Sequence, residues 1–303
     1  MKILVVCSMN RGYSSFIREQ VDSLKKLGVS IDVFGIKGKG KWGYLKNIFP
    51  LKKRLNRENY DLVHAHYGLS GLLANLQRAI PVVTTYHGSD VNRKSNVKYS
   101  KMTAWLSCYN ILTNDKLNRI LKLKKRFSVI PCGVDLGNFK PMDQNICKRE
   151  MGLSPQKKYI LFSSSFDRDV KNAPLAQATV QQLENTELIE LKGYTREQVN
   201  LLINASELVL VTSYNETGPL IVKEALACNR PVVSTDVGDV KQILAEVQGS
   251  YMVDYNPENV AEKCRLILEK NEAYKSRSSM EKYELSAIAA KIKDIYASLI
   301  TEN

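Results

Sequence analysis

Histidine is scarce in this chain, with three residues in 303. A metal site built on imidazoles therefore has one arrangement available, the pair His64 and His66 joined by His87 and Asp90. The six cysteines (Cys7, Cys108, Cys132, Cys147, Cys228 and Cys264) stand apart with no CxxC spacing. That excludes a cysteine zinc site and a disulfide framework, and it fits reduced thiols. No apolar run approaches the roughly 18 residues that a membrane-spanning helix needs. The opening MKILVVCSMNR reads as a short strand broken by Asn10 and Arg11. Its apolar core is short for a secretory signal and lacks a small-residue cleavage site, so the cytoplasm is the expected compartment. Helix-turn-helix, zinc-finger and RNP-like patterns are also missing, and nucleic acid is not an expected partner.

What is present is an ordinary globular composition, 44% hydrophobic and 25% charged, over a length that suggests two domains. Charge is shared unevenly. Residues 1–150 carry a net +17 and residues 151–303 a net −4, within the overall +13. Residues 36–57 hold eight cations, Lys52, Lys53 and Arg54 among them, and no acid. Trp42, Tyr44, Leu45, Ile48, Phe49 and Leu51 are interleaved with these cations, as in segments that lie on anionic membrane surfaces. A solvated basic surface is the plainer alternative.

Strand-like and helix-like segments alternate along the chain. KILVVCS, YDLVHAHY, PVVTTYHG and YNILTND read as buried strands, separated by helices such as FIREQVDSLKKLG. Continuous apolar strands in βαβ order imply a parallel sheet with helices on both faces. Residues 137–158 contain Pro141 and Pro155 and little apolar pattern, which suggests an interdomain connection. The rhythm resumes with KYILFSSS, TELIELKG and ELVLVTS as strands. The reading is an α/β chain of two Rossmann-like domains, 1–141 and 142–283, with the helix at 284–303 expected to pack back on the first.

The stretch ETGPLIVKEALACNRPVVST, from Glu216 to Thr235, carries the most chemistry. It follows the strand ELVLVTS, and ligands of open parallel sheets bind beyond the carboxyl ends of the strands. Pro219 suits the first position of a helix, and Asn229 suits a left-handed cap. The helix start offers free amides and a positive dipole to an anion, and Gly218 permits close backbone approach. Glu216 on the loop and Glu224 inside the helix could then grip two hydroxylated parts of one ligand, with phosphate between them. A nucleotide sugar has that layout.

This stretch resembles the E-x7-E signature of the family 4 retaining glycosyltransferases (glycosyl transferases group 1), which have the GT-B fold of two Rossmann-like domains facing a cleft. HAHYGLSG, TYHGSD, VIPCGVDLGNF, NASELVLVTS and VGDV support the resemblance in order along the chain. The resemblance implies that Glu224 binds the nucleotide ribose and Glu216 the donor sugar. It implies that the backbone of Thr217, Gly218, Pro219 and Leu220 meets sugar and diphosphate, and that His87 sits beside the sugar. Lys171 and Arg168, in FDRDVKN, are the implied cations for the leaving diphosphate. Here the chain departs from many relatives, which carry the arginine further upstream and a glycine after the lysine. The turn SMNRGYSSF is expected to face the cleft, with Gly12 as a candidate donor-binding residue, and it keeps this one glycine where relatives often have two. Arg11 is a candidate contact for a charged acceptor, and Asp90 is expected to order its loop.

The implied activity is retaining, metal-independent sugar transfer with no cofactor. The donor would be a nucleotide sugar. The acceptor would be a lipid-linked saccharide in bacterial surface polysaccharide synthesis, with the basic first half on the inner face of a membrane. A non-catalytic partner protein that binds nucleotide sugars is the alternative from a different class. A metal-dependent hydrolase using the HxH pair, or an epimerase or phosphorylase on the same fold, are the others.

Overall fold

The computed structural model describes residues 1–301 apart from Arg11, Lys39, Asn271 and Glu272, with Lys41 described by its backbone alone. The chain divides into two compact units. Met1–Gly133 together with Leu285–Asn303 form the first, and Val134–Glu284 form the second.

The first unit is built on β1 (Lys2–Ser8), β2 (Ser30–Ile36), β3 (Leu62–His66), β4 (Val82–Tyr86), β5 (Tyr109–Leu112) and β6 (Phe127–Val129), in the order β2-β1-β3-β4-β5-β6. The second has β7 (Lys158–Phe162), β8 (Thr186–Glu190), β9 (Leu208–Val211), β10 (Val232–Thr235) and β11 (Tyr251–Val253), in the order β11-β10-β9-β7-β8. All of these pairings are parallel.

Strand periodicity explains why both faces of each sheet are covered. Successive side chains point to opposite faces, so Leu161, Val209 and Val211 enter one core while Ile160, Phe162, Leu208 and Leu210 enter another. In β1, Ile3, Val5 and Cys7 face one core and Leu4 and Val6 the other. Strand order reverses direction at β1/β3 in the first unit and at β7/β9 in the second. Such reversals are where open parallel sheets generally bind their ligands.

The last helix, Leu285–Thr301, completes the first unit. Its Ile288, Ala289, Ile292 and Tyr296 are buried against residues of β1, β3 and the helix Ser15–Lys26. The tyrosine hydroxyl meets Nδ1 of His64, whose Nε2 is 2.7 Å from the Thr85 hydroxyl.

The boundary expected after residue 141 lies instead at Gly133/Val134, and residues 137–158 are no free connector. The Val134 amide donates to the Tyr283 carbonyl at 2.8 Å. Arg277 donates to the carbonyls of Leu136 and Phe139, both at 2.6 Å. Phe139 is fully buried in the second core. The helix Gln144–Glu150 is capped by Asp143 and anchored by buried Lys148, whose ammonium lies 2.9 Å from Glu207. Low apolar content misleads here because three or four buried side chains suffice to hold a short wall segment.

The basic segment forms two helices, Gly40–Leu45 and Ile48–Arg57. Leu51 and Leu55 turn inward, and Lys52 and Lys53 are exposed. Arg54 is engaged at home, 3.2 Å from Glu58 and 3.6 Å from Asp32. Among the described residues no helix is long and apolar enough to cross a membrane.

Phe139→Ala removes a fully buried ring from the second core, at a cost of about 3–5 kcal/mol. Urea unfolding should show the destabilisation in the second unit, reported by Tyr283 and its neighbours through hydrogen exchange, with the first unit's amides little changed.

Candidate active site

The second unit gathers its chemistry on the loops after β7, β8 and β9. Beyond β7 the chain makes a single tight turn, the 3-10 segment Asp169–Lys171, and Asn172 takes a left-handed conformation before the helix Ala173–Val180. The loop after β9 is laced to this turn. The Thr212 hydroxyl donates to the carbonyls of Lys171 and Asn172, both at 2.9 Å, and the Tyr214 amide donates to Val170. The turn is therefore fixed relative to Glu216. The Lys171 ammonium is ion-paired with the Glu216 carboxylate, to which the Ser213 hydroxyl also donates at 3.1 Å. Both charged groups are largely buried, a setting in which each needs the other.

Arg168 takes no part in that pair. It is exposed, with a long contact of 3.4 Å to the Ser164 hydroxyl. The neighbouring Asp167 binds Lys192 instead, at 2.8 Å.

The helix after this loop runs from Leu220 to Ala227, with Pro219 at the N-cap (φ −68°, ψ 109°). Pro219 was expected at the first helical position. Its extended ψ places it one step outside, so the first free amides belong to Leu220 and its successors. Two glycines bring this loop against the turn after β10. A Cβ on Gly238, whose φ is +56°, would stand 2.5 Å from the Thr217 carbonyl oxygen. A Cβ on Gly218 would stand 3.2 Å from an Asp239 carboxylate oxygen. Asp239 pairs at 2.9 Å with fully buried Lys223, over the Tyr283 ring. At the other end of the helix Asn229 is left-handed, and its side-chain oxygen accepts from the amides of Ser276 and Arg277.

Glu224 lies inside the helix, 3% exposed, with Arg196 donating to it at 2.6 Å. Burial pushes its carboxyl above the ordinary value, and the guanidinium opposes that shift. Arg196 stands 4.6 Å above the Phe139 ring and retains some access to solvent. It escaped the sequence reading, as did the Lys223–Asp239 pair. The available signal was T-R-E-Q: Thr195 and Gln198 form a capping box, which puts Arg196 in a first helical turn beyond β8.

In the first unit, His87 follows β4. Its Nε2 lies 2.9 Å from Nδ1 of His66, its Nδ1 faces the Cys132 sulfur at 3.9 Å, and Phe16 and Tyr67 pack on its ring. Asp90 accepts from the amides of Gly68, His87 and Gly88 at 2.9–3.2 Å, which orders the loop under the histidine. Gly12 is exposed on the turn after β1, its amide donating to Met9 at 3.2 Å. Arg11 lies outside the described residues. The HxH pair has no coordinating set: both nitrogens of His64 are engaged, and among the described residues no group of three or more His, Cys, Asp or Glu is arranged to hold a metal.

Two families match this chain by sequence. Glycosyltransferase Family 4 covers residues 5–138, and Glycosyl transferases group 1 covers residues 170–285. A curated relative is the teichuronic acid biosynthesis glycosyltransferase TuaC of Bacillus subtilis, 26% identical over 230 residues, 65% of this chain and 59% of the relative. The chain thus spans under two thirds of that relative's length. Among solved structures, sucrose-phosphate synthase from Thermosynechococcus elongatus aligns over 100% of both chains with a TM-score of 0.87 at 16% identity. HepE of Anabaena, solved with UDP and glucose, aligns over 98% of this chain and 100% of its own with a TM-score of 0.80 at 15% identity. At such identities these two establish the fold, GT-B.

Burial holds the three imidazoles neutral, His66 pushed down to about 3 and His64 and His87 well below the ordinary value. Below about pH 6.5 the unfolded chain binds these protons and the folded chain does not, so stability falls as pH falls. Asp90, raised by burial to about 6, works in the opposite direction below that pH. The net difference from these four groups approaches two protons, roughly 3 kcal/mol per pH unit at most. Urea titrations between pH 7 and 5 should show this loss, and His66→Gln should reduce the slope by about one proton.

Proposed function

This chain belongs to the family 4 glycosyltransferases, and from that premise we propose that it transfers a sugar, with retention, from a nucleotide-sugar donor to a lipid-linked saccharide acceptor. The observation that carries this reading is the pair of carboxylate–cation contacts, Glu216 with Lys171 and Glu224 with Arg196, on either side of one helix start. In the proposed role Glu224 accepts from the ribose hydroxyls while Arg196, donating to it, opposes the effect of burial on its carboxyl. Glu216 accepts from the sugar hydroxyls, and the amides from Thr217 to Leu220 meet sugar and diphosphate. Lys171, already held by Glu216, supplies positive charge to the leaving diphosphate, with exposed Arg168 as a second cation. His87, neutral and fixed by His66, contacts the donor sugar.

In the proposed step the bond from the anomeric carbon to the diphosphate oxygen breaks. The acceptor hydroxyl bonds to the same face of that carbon, and its proton passes to the departing phosphate oxygen. Positioning and fixed charge supply the catalysis, with no metal in the scheme. The acceptor reading rests on the basic first unit and on TuaC, a protein named for teichuronic acid biosynthesis. It places the enzyme at the inner face of a bacterial membrane, in surface polysaccharide synthesis.

Thermal melts with UDP-, GDP-, ADP- and dTDP-sugars test the donor site. At 100 times its Kd a ligand adds about 2.7 kcal/mol. One nucleotide series should therefore raise Tm by several degrees, and Glu224→Ala should abolish the rise. No shift with any series would refute the donor site, whereas a shift without turnover of the bound donor would point to the non-catalytic alternative. For the membrane, Lys52→Glu, Lys53→Glu and Arg57→Glu together should release the protein from phosphatidylglycerol vesicles in sedimentation. Arg54 is left intact because it neutralises Asp32 and Glu58. Unchanged sedimentation would refute the membrane contact.

A further inference from the structure

The first unit contains a groove of about 740 Å³ that none of the proposed donor chemistry uses. Its floor is leucine, Leu69, Leu72 and Leu76 from the helix Gly68–Asn75 and its end, and Tyr44 closes one side from the helix Gly40–Leu45. Lys94 and Lys98 stand at the edge, one turn apart on the helix Lys94–Leu106. Residues four apart share a helix face, so both ammonium groups present to the same region. Lys98 also reaches over the Tyr99 ring at 5.2 Å. Among the described residues no acidic side chain lines the groove, and residues 93–101 hold four cations and no acid.

We propose that this groove binds the hydrocarbon chain of the phosphate-bearing lipid that carries the acceptor, with Lys94 and Lys98 on the phosphate. The inference rests on the lipid-linked acceptor reading above and gives that lipid a place in the fold. The volume lies within the roughly 300–1,000 Å³ usual for small-molecule sites. An apolar floor with two cations at one edge matches an amphiphile of one chain and one anionic head. A neutral hydrocarbon would leave the lysines unused, and an inorganic anion would leave the leucines unused. The surroundings suit a bilayer surface: Trp42, on the same short helix as Tyr44, is 78% exposed, and Phe49 on the next helix is 81% exposed. Large aromatic side chains among cations are characteristic of interfacial segments.

Calorimetric titration with farnesyl phosphate, kept below its critical micelle concentration, tests the site, with farnesol and inorganic phosphate as the comparison ligands. Farnesyl phosphate should bind, and inorganic phosphate should neither bind measurably nor displace it. Leu72→Asp, at a partly exposed position, should weaken binding by about tenfold or more. Lys94→Glu with Lys98→Glu, both on exposed positions that threaten no core, should weaken farnesyl phosphate by about tenfold and leave farnesol unchanged. Equal affinity of the wild type and either variant for farnesyl phosphate would overturn the proposal. So would failure of farnesyl phosphate to bind, or capture of an acidic amphipathic helix by the groove in its place. Nucleotide-induced melting shifts on the same samples separate the two readings. Nucleotide binding without lipid binding removes the groove alone, and lipid binding without any nucleotide response removes the glycosyl-transfer reading while the groove stands.

Discussion

A carboxylate shut away from water needs a cation close at hand, and Glu224 obtains one from Arg196. Removing one partner of such a buried pair costs about 3–5 kcal/mol because the other charge is left stranded. The requirement spreads outward. Arg196 stands on the face of Phe139, and the carbonyl of Phe139 accepts from Arg277. Arg277 also binds the carbonyl of Ala227, the last residue of the helix that contains Glu224. The five residues close a ring through the helix that Glu224 and Ala227 share. It explains why residues 134–141 belong to the second unit, since without them Arg196 would lose its aromatic support.

A second constraint acts between backbones. Gly238 sits so close to Thr217 that no side chain fits between them, and the loop from Tyr214 to Pro219 is thereby clamped between the turn after β10 and the turn after β7. Preorganisation of this kind lets a site contribute electrostatics without rearranging at the moment of reaction. The buried Lys223–Asp239 pair stands directly behind it.

Parallel strands, their order of appearance and the E-x7-E helix were legible in the sequence because buried strands are continuous apolar runs and Gly-Pro marks a helix start. Pro219 was misplaced by one position because its own fixed φ suits both the N-cap and the first turn, and only ψ separates them. The domain boundary was misjudged for a different reason. Phe139 and Val134 are two apolar residues in a polar stretch, and pattern methods weigh number where packing weighs burial. Arg196 was hidden because its partner is 28 residues away, beyond any periodicity. The same holds for His66, whose partner His87 stands just past the end of the next strand, β4. HxH spacing alone suits both a metal site and a neutral buried pair.

Tyr296 touches His64 across 232 residues of chain, and this has a consequence for synthesis. The ribosome delivers β1 to β6 first, but the helix that seals their sheet comes only after the whole second unit has emerged. Domains that fold as they are made usually do so from the amino terminus. Here the amino-terminal sheet must wait with the face that holds Ile3, Val5 and Leu62 covered by the helix Ser15–Lys26 but lacking Ile288, Ile292 and Tyr296, while residues 134–284 already possess everything their own core requires. The order of completion is thus the reverse of the order of translation.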